Sequence, residues 1–307
     1  MILASPTCFT RDHYEARRGL APGPLCELVV HCLELVSQLC HRGLTFRFKG
    51  GNSLLVLLEN PQRFSIDVDI VTVEPKERLI ALVGEIADGC EAFTRWESRQ
   101  PKTKPWLPLI SFKLFFESVY PAAEDPYVML DAVLEPAPYE GVVRPVRCGS
   151  LYESGERVEV PSIPGLVGDK LLAIGPSTLG IPLGKGKEAQ RLKHVFDVSL
   201  LSGQGCDASA VRAALAACQA QEERIQGRHF AWDEIALDTI RFCSEPLAHA
   251  APPPATSLDC GSYLYEIVTG FEQFRQHLFR TEYGWDALRR DCSAVADLVR
   301  SLPARPA

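Results

Sequence analysis

The chain has 307 residues, a net charge of −7 and 46% hydrophobic residues, which allows two modest domains or one large one and argues against a broadly basic nucleic-acid binder. No apolar run approaches the roughly 20 residues that span a bilayer, and Met1-Ile2-Leu3-Ala4-Ser5-Pro6 has no basic segment leading into an apolar one, so neither a signal peptide nor a membrane partner is expected. Eleven cysteines, odd in number and without CxxC spacing, read as free thiols in a reducing cytoplasm.

Apolar positions at Leu25, Val29, Leu33, Val36, Leu39 and Cys40 predict a helix over 24–42. Cys26, His31, Cys32, Cys40 and His41 have the composition of a metal cluster, but their spacing scatters them around that helix and burial is the better reading. Residues 44–48 read as a short strand, broken by Gly50-Gly51, after which Asn52 or Ser53 is placed to cap a helix through Leu58. Residues 65–71 are β-branched and apolar apart from two acids, and read as a strand. A helix over 76–89 follows. Residues 95–106 alternate charges with Trp96, Trp106, Pro101 and Pro105; they read as a solvated loop or as an RNA-contacting one. Residues 107–118 and 127–134 read as strands. Beyond Pro164 the texture is helical, over 165–174, 188–202, 208–224, 231–246, 258–281 and 284–301, with a Pro-rich loop at 251–254. The chain is therefore expected to be α+β, with a sheet-bearing domain over 1–160 and a helical one over 161–307.

Two aspartates, Asp67 and Asp69, carry the chemistry. Residues i and i+2 of a strand project to one face, so both carboxylates emerge together. Paired carboxylates repel unless a cation sits between them, and hard oxygen ligands suit Mg²⁺ or Mn²⁺ carrying a nucleotide's phosphates. Asp131 interrupts another apolar strand; beside the pair it would serve as a general base or a third metal ligand. Upstream, Lys49, Gly50, Gly51 and Ser53 form a turn whose amides and following helix suit a phosphate. Arg63 reads equally as a phosphate ligand or an ion-pair partner. Lys170 and Asp197 fall on the first two helices of the second half, as a buried pair, as a phosphate-binding lysine held by an aspartate, or as both. Lys185 and Lys187 lie in a flexible basic loop, either a lid over a triphosphate, an RNA contact, or plain solvated chain. No P-loop, GxSxG elbow or GxGxxG fingerprint is present.

Four motifs in order give a family resemblance. They are Lys49-Gly50-Gly51-Asn52-Ser53-Leu54, Arg63-Phe64-Ser65-Ile66-Asp67-Val68-Asp69, Gly168-Asp169-Lys170-Leu171-Leu172-Ala173 with Gly180-Ile181-Pro182, and Lys193-His194-Val195-Phe196-Asp197. Together they resemble the AbiEii/AbiGii nucleotidyltransferase-like toxins, relatives of the MenT toxins. The resemblance covers about residues 30–205. It implies a minimal polymerase-β-like nucleotidyltransferase core with a helical C-terminal domain that completes the active site. It also implies a toxin of a type IV toxin–antitoxin or abortive-infection operon, with an antitoxin encoded nearby, transferring NMP from an NTP to RNA, tRNA 3′ ends above all. By motif it carries the metal ligands to Asp67 and Asp69, the phosphate turn to Lys49, Gly51 and Ser53, and the essential lysine and aspartate to Lys170 and Asp197. Asp131 follows from less distinctive surroundings. Many members have an acid where this chain has His194. Transfer to a protein or small molecule, or a non-catalytic nucleotide- or antitoxin-binding module, are the alternatives.

Overall fold

The computed structural model describes residues 1–17, 19, 21–59, 61–99, 108–278 and 282–304. The chain divides into two compact units, one of Met1–Ala137 with Gly141–Pro161, the other of Pro138–Glu140 with Ser162–Ala307.

The first unit contains helices α1 (Arg11–Glu15), α2 (Gly23–His41), α3 (Leu54–Leu57) and α4 (Lys76–Gly89). Its strands are β1 (Arg47–Lys49), β2 (Asp67–Val71), β3 (Arg95–Arg99), β4 (Leu109–Phe115), β5 (Tyr127–Val133), β6 (Gly141–Cys148) and β7 (Tyr152–Pro161). They form one mixed sheet in the order β3-β4-β5-β2-β1-β7-β6. β2 runs antiparallel to β1 and parallel to β5, so β5 is inserted between β2 and β4. Val68, Ile70, Leu130, Ala132, Phe112 and Phe48 are fully buried on one face, while most of their neighbours along each strand, Asp69, Met129, Asp131 and Ser111 among them, are half-buried. That alternation is the period-2 signature of a sheet covered on one side.

Helix α2 packs on the buried face, against β2, β5, β6 and β7. Pro24 sits in its first turn, where the fixed φ suits a helix start. Gly43, at φ +71, turns the chain out of the helix, with the Leu44 amide returning to the Leu39 carbonyl. Contrary to the expectation from sequence, α2 is long and apolar enough by length and composition to cross a bilayer; here 78% of that stretch is buried within the protein. Its few polar side chains are satisfied internally. Glu34, fully buried, accepts hydrogen bonds from the Leu3 amide at 2.9 Å, Gln38 Nε2 at 2.6 Å and the Tyr152 hydroxyl at 2.8 Å. His31 donates from Nδ1 to the Glu27 carbonyl and stacks on Phe116 with ring centroids 3.8 Å apart. Of the residues with metal-ligand composition on this helix, Cys26, His31 and Cys32 are buried in the core, Cys40 is half-buried, and His41 is exposed and paired with Glu156.

Three strands are absent from the sequence reading. Residues 95–99, read as part of a loop, are edge strand β3, and Trp96 lies beside Phe112 and Gly84. The remainder of that segment, residues 100–106, lies outside the described residues. β6 and β7 form a hairpin with a bulge between Pro145 and Arg147. Proline is tolerated there because β6 is the last strand of the sheet.

Among the described residues the second unit is helical: α5 (Ile163–Leu172), α6 (Glu188–Ser202), α7 (Ala208–Gln226), α8 (Trp232–Ser244), α9 (Tyr263–Arg275) and α10 (Trp285–Ser301). α5 begins at Ser162, whose hydroxyl accepts from the Gly165 amide, and α7 ends at Gly227 in the left-handed conformation. Two crossings need a glycine. A Cβ on Gly168 would lie 2.7 Å from the Leu215 amide nitrogen on α7, and one on Gly270 would lie 2.7 Å from the Glu188 carbonyl carbon on α6. Both obstacles are backbone and cannot move aside.

Candidate active site

The half-open face of the sheet carries the polar residues. In register across four strands stand Lys49 on β1, Asp69 on β2, Asp131 on β5 and Ser111 on β4. Partners in register share a face, so these four side chains emerge side by side. Asp67, two residues before Asp69, is on the same face, opposite Met129. Asp69 and Asp131 are half-buried and Asp67 is exposed. The expected meeting of Asp131 with the paired acids therefore occurs, through the parallel pairing of β2 with β5. Ser111, which sequence reasoning missed, donates its hydroxyl hydrogen to Asp131 Oδ1 and fixes that carboxylate. Its signal was a small hydroxyl at an outward position of a strand whose inward positions are all large and apolar.

Like charges directly opposite on neighbouring strands repel. Lys49 offsets this from one side of Asp69 and the Ser111 hydroxyl from the far side of Asp131. The donor set is all oxygen, which fits Mg²⁺ or Mn²⁺; such ions take one or two carboxylates and complete their shell with phosphates and water. The expectation that Asp67, Asp69 and Asp131 form a three-carboxylate metal set is met only as far as a common face. Among the described residues no three His, Cys, Asp or Glu side chains converge as a metal cage.

The glycine turn packs against these acids. Gly50 has φ +73, and a Cβ there would fall 2.0 Å from Asp69 Oδ2. A Cβ on Gly51 would fall 2.8 Å from Arg63 Nη2 and 2.9 Å from Ser65 Oγ. Backbone and side chains thus approach to distances only glycine permits. Arg63 is 5% exposed, folded beneath the turn. The Ser53 hydroxyl donates to the Gly50 carbonyl at 2.9 Å and closes the turn from inside. This corrects the capping expectation: α3 has no side-chain cap, and Asn52 and Ser53 are both fully buried. With only four residues α3 also contributes little end charge for a phosphate.

In the second unit, Lys170 Nζ lies 2.7 Å from Asp197 Oδ2, with the side chains 3% and 0% exposed. The pair joins α5 to α6. Lys185 and Lys187 are exposed on the loop between these helices and border a cavity of about 490 Å³ together with Asp169, Gln190 and His194. Gly184 and Gly186 take positive φ values of +66 and +67 there. Two anchors of this region were not read from the sequence. Glu266 on α9 accepts from the Gly184 amide at 2.7 Å and pairs with Arg191 Nη1 at 2.7 Å, all but enclosed. Asp238 on α8 accepts from the Ser177 and Thr178 amides at 2.8 and 2.9 Å and from the Tyr263 hydroxyl at 2.6 Å. Arg191 was detectable as a charge within the apolar stripe of Leu192, Val195 and Val198; Asp238 left no such mark.

Residues 37–280 match the sequence profile of the family described as "Nucleotidyl transferase AbiEii toxin, Type IV TA system". Among solved structures, MenT4, a nucleotidyltransferase toxin from Mycobacterium tuberculosis H37Rv, superposes with a TM-score of 0.50 at 14% identity, covering 95% of this chain and 99% of that one. At that identity the likeness establishes the fold, a nucleotidyltransferase-toxin architecture of mixed sheet and helical region. An antigenic nucleotidyltransferase-like protein from Paracoccidioides brasiliensis gives a TM-score of 0.38 at 15% identity over 66% of this chain and 91% of its own. No curated protein matches.

Proposed function

The chain belongs to the AbiEii family of nucleotidyltransferase toxins of type IV toxin–antitoxin systems, and on that premise we propose that it moves a nucleoside monophosphate from an NTP to an RNA hydroxyl, at the 3′ end of tRNA, releasing pyrophosphate. Family membership carries the enzyme class, the NTP and an antitoxin partner. The observation that supports the detailed reading is the alignment of Lys49, Asp69 and Asp131 across three adjacent strands, with the Gly50 backbone against Asp69.

Asp67 and Asp69 would hold Mg²⁺ or Mn²⁺, which when bound neutralises the phosphates and stabilises charge on the leaving pyrophosphate. Lys49 and the turn amides of Gly50 and Gly51 bind the anionic tail. The acceptor hydroxyl oxygen forms a bond to the α-phosphorus; the bond from that phosphorus to the bridging oxygen breaks, and pyrophosphate leaves with the electron pair. The hydroxyl proton passes to Asp131, which Ser111 keeps oriented toward the acceptor. Arg63 supports the turn from below. Lys170 and Asp197 act as one buried unit in the helical half, and Lys185 and Lys187 offer exposed cations for phosphate.

The test is Asp67→Asn with each labelled NTP and total tRNA, read on a denaturing gel. Wild-type protein is expected to label RNA and the variant to lose transfer by at least about a thousandfold, roughly 4 kcal/mol of barrier, with an unchanged denaturation midpoint. Full transfer by the variant removes the metal assignment; labelling of protein in place of RNA removes the acceptor assignment.

A further inference from the structure

Asp67 faces a second surface as well as the acidic row. It borders a cavity of about 430 Å³ whose walls are Pro24 and Leu28 of α2, Phe116 and Tyr120 beyond β4, and Tyr127 and Met129 of β5. Met129 is the register partner of Asp67, so the cavity begins where the row of acids ends. One wall is held in place by Glu27, which is 2% exposed and accepts from the Ser118 hydroxyl at 2.5 Å and the Val119 amide at 2.7 Å. Tyr120 is fixed by donating to Glu15 at 2.9 Å. The space is therefore preformed.

Its chemistry is one-sided. The charged members of the lining are Asp67, Glu27, Glu124 and Asp125, and among the described residues the lining itself includes no lysine or arginine; just outside it Arg95 pairs with Asp125 at 3.0 Å and Arg11 lies over the Tyr120 ring at 5.3 Å. Lys113 lies over the Tyr127 ring at 3.9 Å, engaged with that ring outside the lining. A lining whose own charged groups are all acidic, with Asp67 and Glu124 at its exposed lip, disfavours a phosphate, so the triphosphate tail belongs on the Lys49 side of the row. Apolar walls with two tyrosines suit a planar, uncharged ring, and stacking a base on an aromatic side chain contributes about 1–3 kcal/mol. Asp67 at the mouth is then within reach of the sugar that follows the ring.

We propose that this cavity takes the terminal nucleoside of the acceptor strand, base first, with its phosphate left outside. The inference rests on the nucleotidyl-transfer reading above and gives it an acceptor subsite separate from the NTP site. An aminated, cationic acceptor is the competing occupant that the acidic lip admits.

Equilibrium dialysis with labelled adenosine, AMP and an aminoglycoside tests the idea on the full chain. Adenosine is expected to bind with a Kd of about 1 mM or tighter, and AMP no more tightly. Ala122→Trp fills the space from an exposed lip of the cavity; it should weaken adenosine binding and raise the KM for tRNA by about tenfold, with the Kd of the labelled NTP changed less than about twofold. Ile66→Trp, on the opposite and 41% exposed lip, should give the same split. Absence of adenosine binding, an equal loss of NTP affinity in both variants, or tighter binding of the aminoglycoside overturns the proposal. If wild-type protein labels no RNA, the RNA reading fails while the dialysis result still decides the cavity.

Discussion

Gly50 and Asp69 are in contact: the α-carbon of the glycine lies where any side chain would enter the carboxylate of the aspartate. The turn and the acid hold each other in position, which separates two effects of mutation that usually arrive together.

Gly50→Ala meets a movable obstacle, the end of the Asp69 side chain, in a left-handed backbone position. The fold should lose only about 1 kcal/mol, whereas a carboxylate displaced by an ångström should lower kcat about a hundredfold. Gly43→Ala is the control. Gly43 has nearly the same φ, and nothing lies within 4 Å of its missing Cβ, so a similar stability loss should leave activity unchanged. Urea melts and transfer rates on the two variants check both statements.

Ser111→Ala removes one charge-assisted hydrogen bond from Asp131 while leaving the strand intact. A fall in kcat of about tenfold is expected, corresponding to roughly 1.5 kcal/mol, with the KM for NTP unchanged. Asp131→Asn should reduce kcat much further. A change in KM alone would assign Ser111 to nucleotide binding instead of acid positioning.

Lys170→Met and Asp197→Leu each strand a buried charge, and each single variant should lose about 3–5 kcal/mol of stability. The double variant should recover most of that loss, because the enclosed site accepts an apolar pair. Activity is the informative readout: recovery of fold without recovery of transfer is expected, and recovery of both would make the pair purely structural.

His31 has its pKa lowered to about 4 by burial. Its folded value lies below the unfolded one of about 6.5, so between these pH values the unfolded chain binds more protons. Stability should therefore fall as pH drops from about 6.5 to about 4, by up to about 3 kcal/mol from this group. Glu27 acts in the opposite sense, since burial raises its pKa. The difference between wild type and His31→Phe, measured by denaturation across that pH range, isolates the histidine contribution.

Much of the helical half was readable because 3.6-residue periodicity is local; α6 occupies the residues its pattern predicts, 188–202. α2, α4 and β5 were legible for similar reasons. β6 and β7 were not. Val143-Arg144-Pro145 has the proline and the exposed arginine of a loop, and only a place at the sheet's edge makes them a strand. β7 alternates correctly but does so with Ser154 and Gly155 in place of branched residues. At the site, the spacing of Asp67 and Asp69 announced a shared face, while the approach of Asp131 depends on a parallel pairing over some sixty residues that no local pattern encodes. The bond from Ser111 to Asp131 is further still from what a string of letters discloses.

The insertion of β5 between β2 and β4 also bears on the safety of the cell that makes this toxin. During synthesis the ribosome delivers β2 long before its neighbour, and the acids cannot be assembled until the later strand has emerged and been threaded into its slot. A translation product cut short before that point lacks Asp131, and on the proposed mechanism it would be inactive without any help from an antidote.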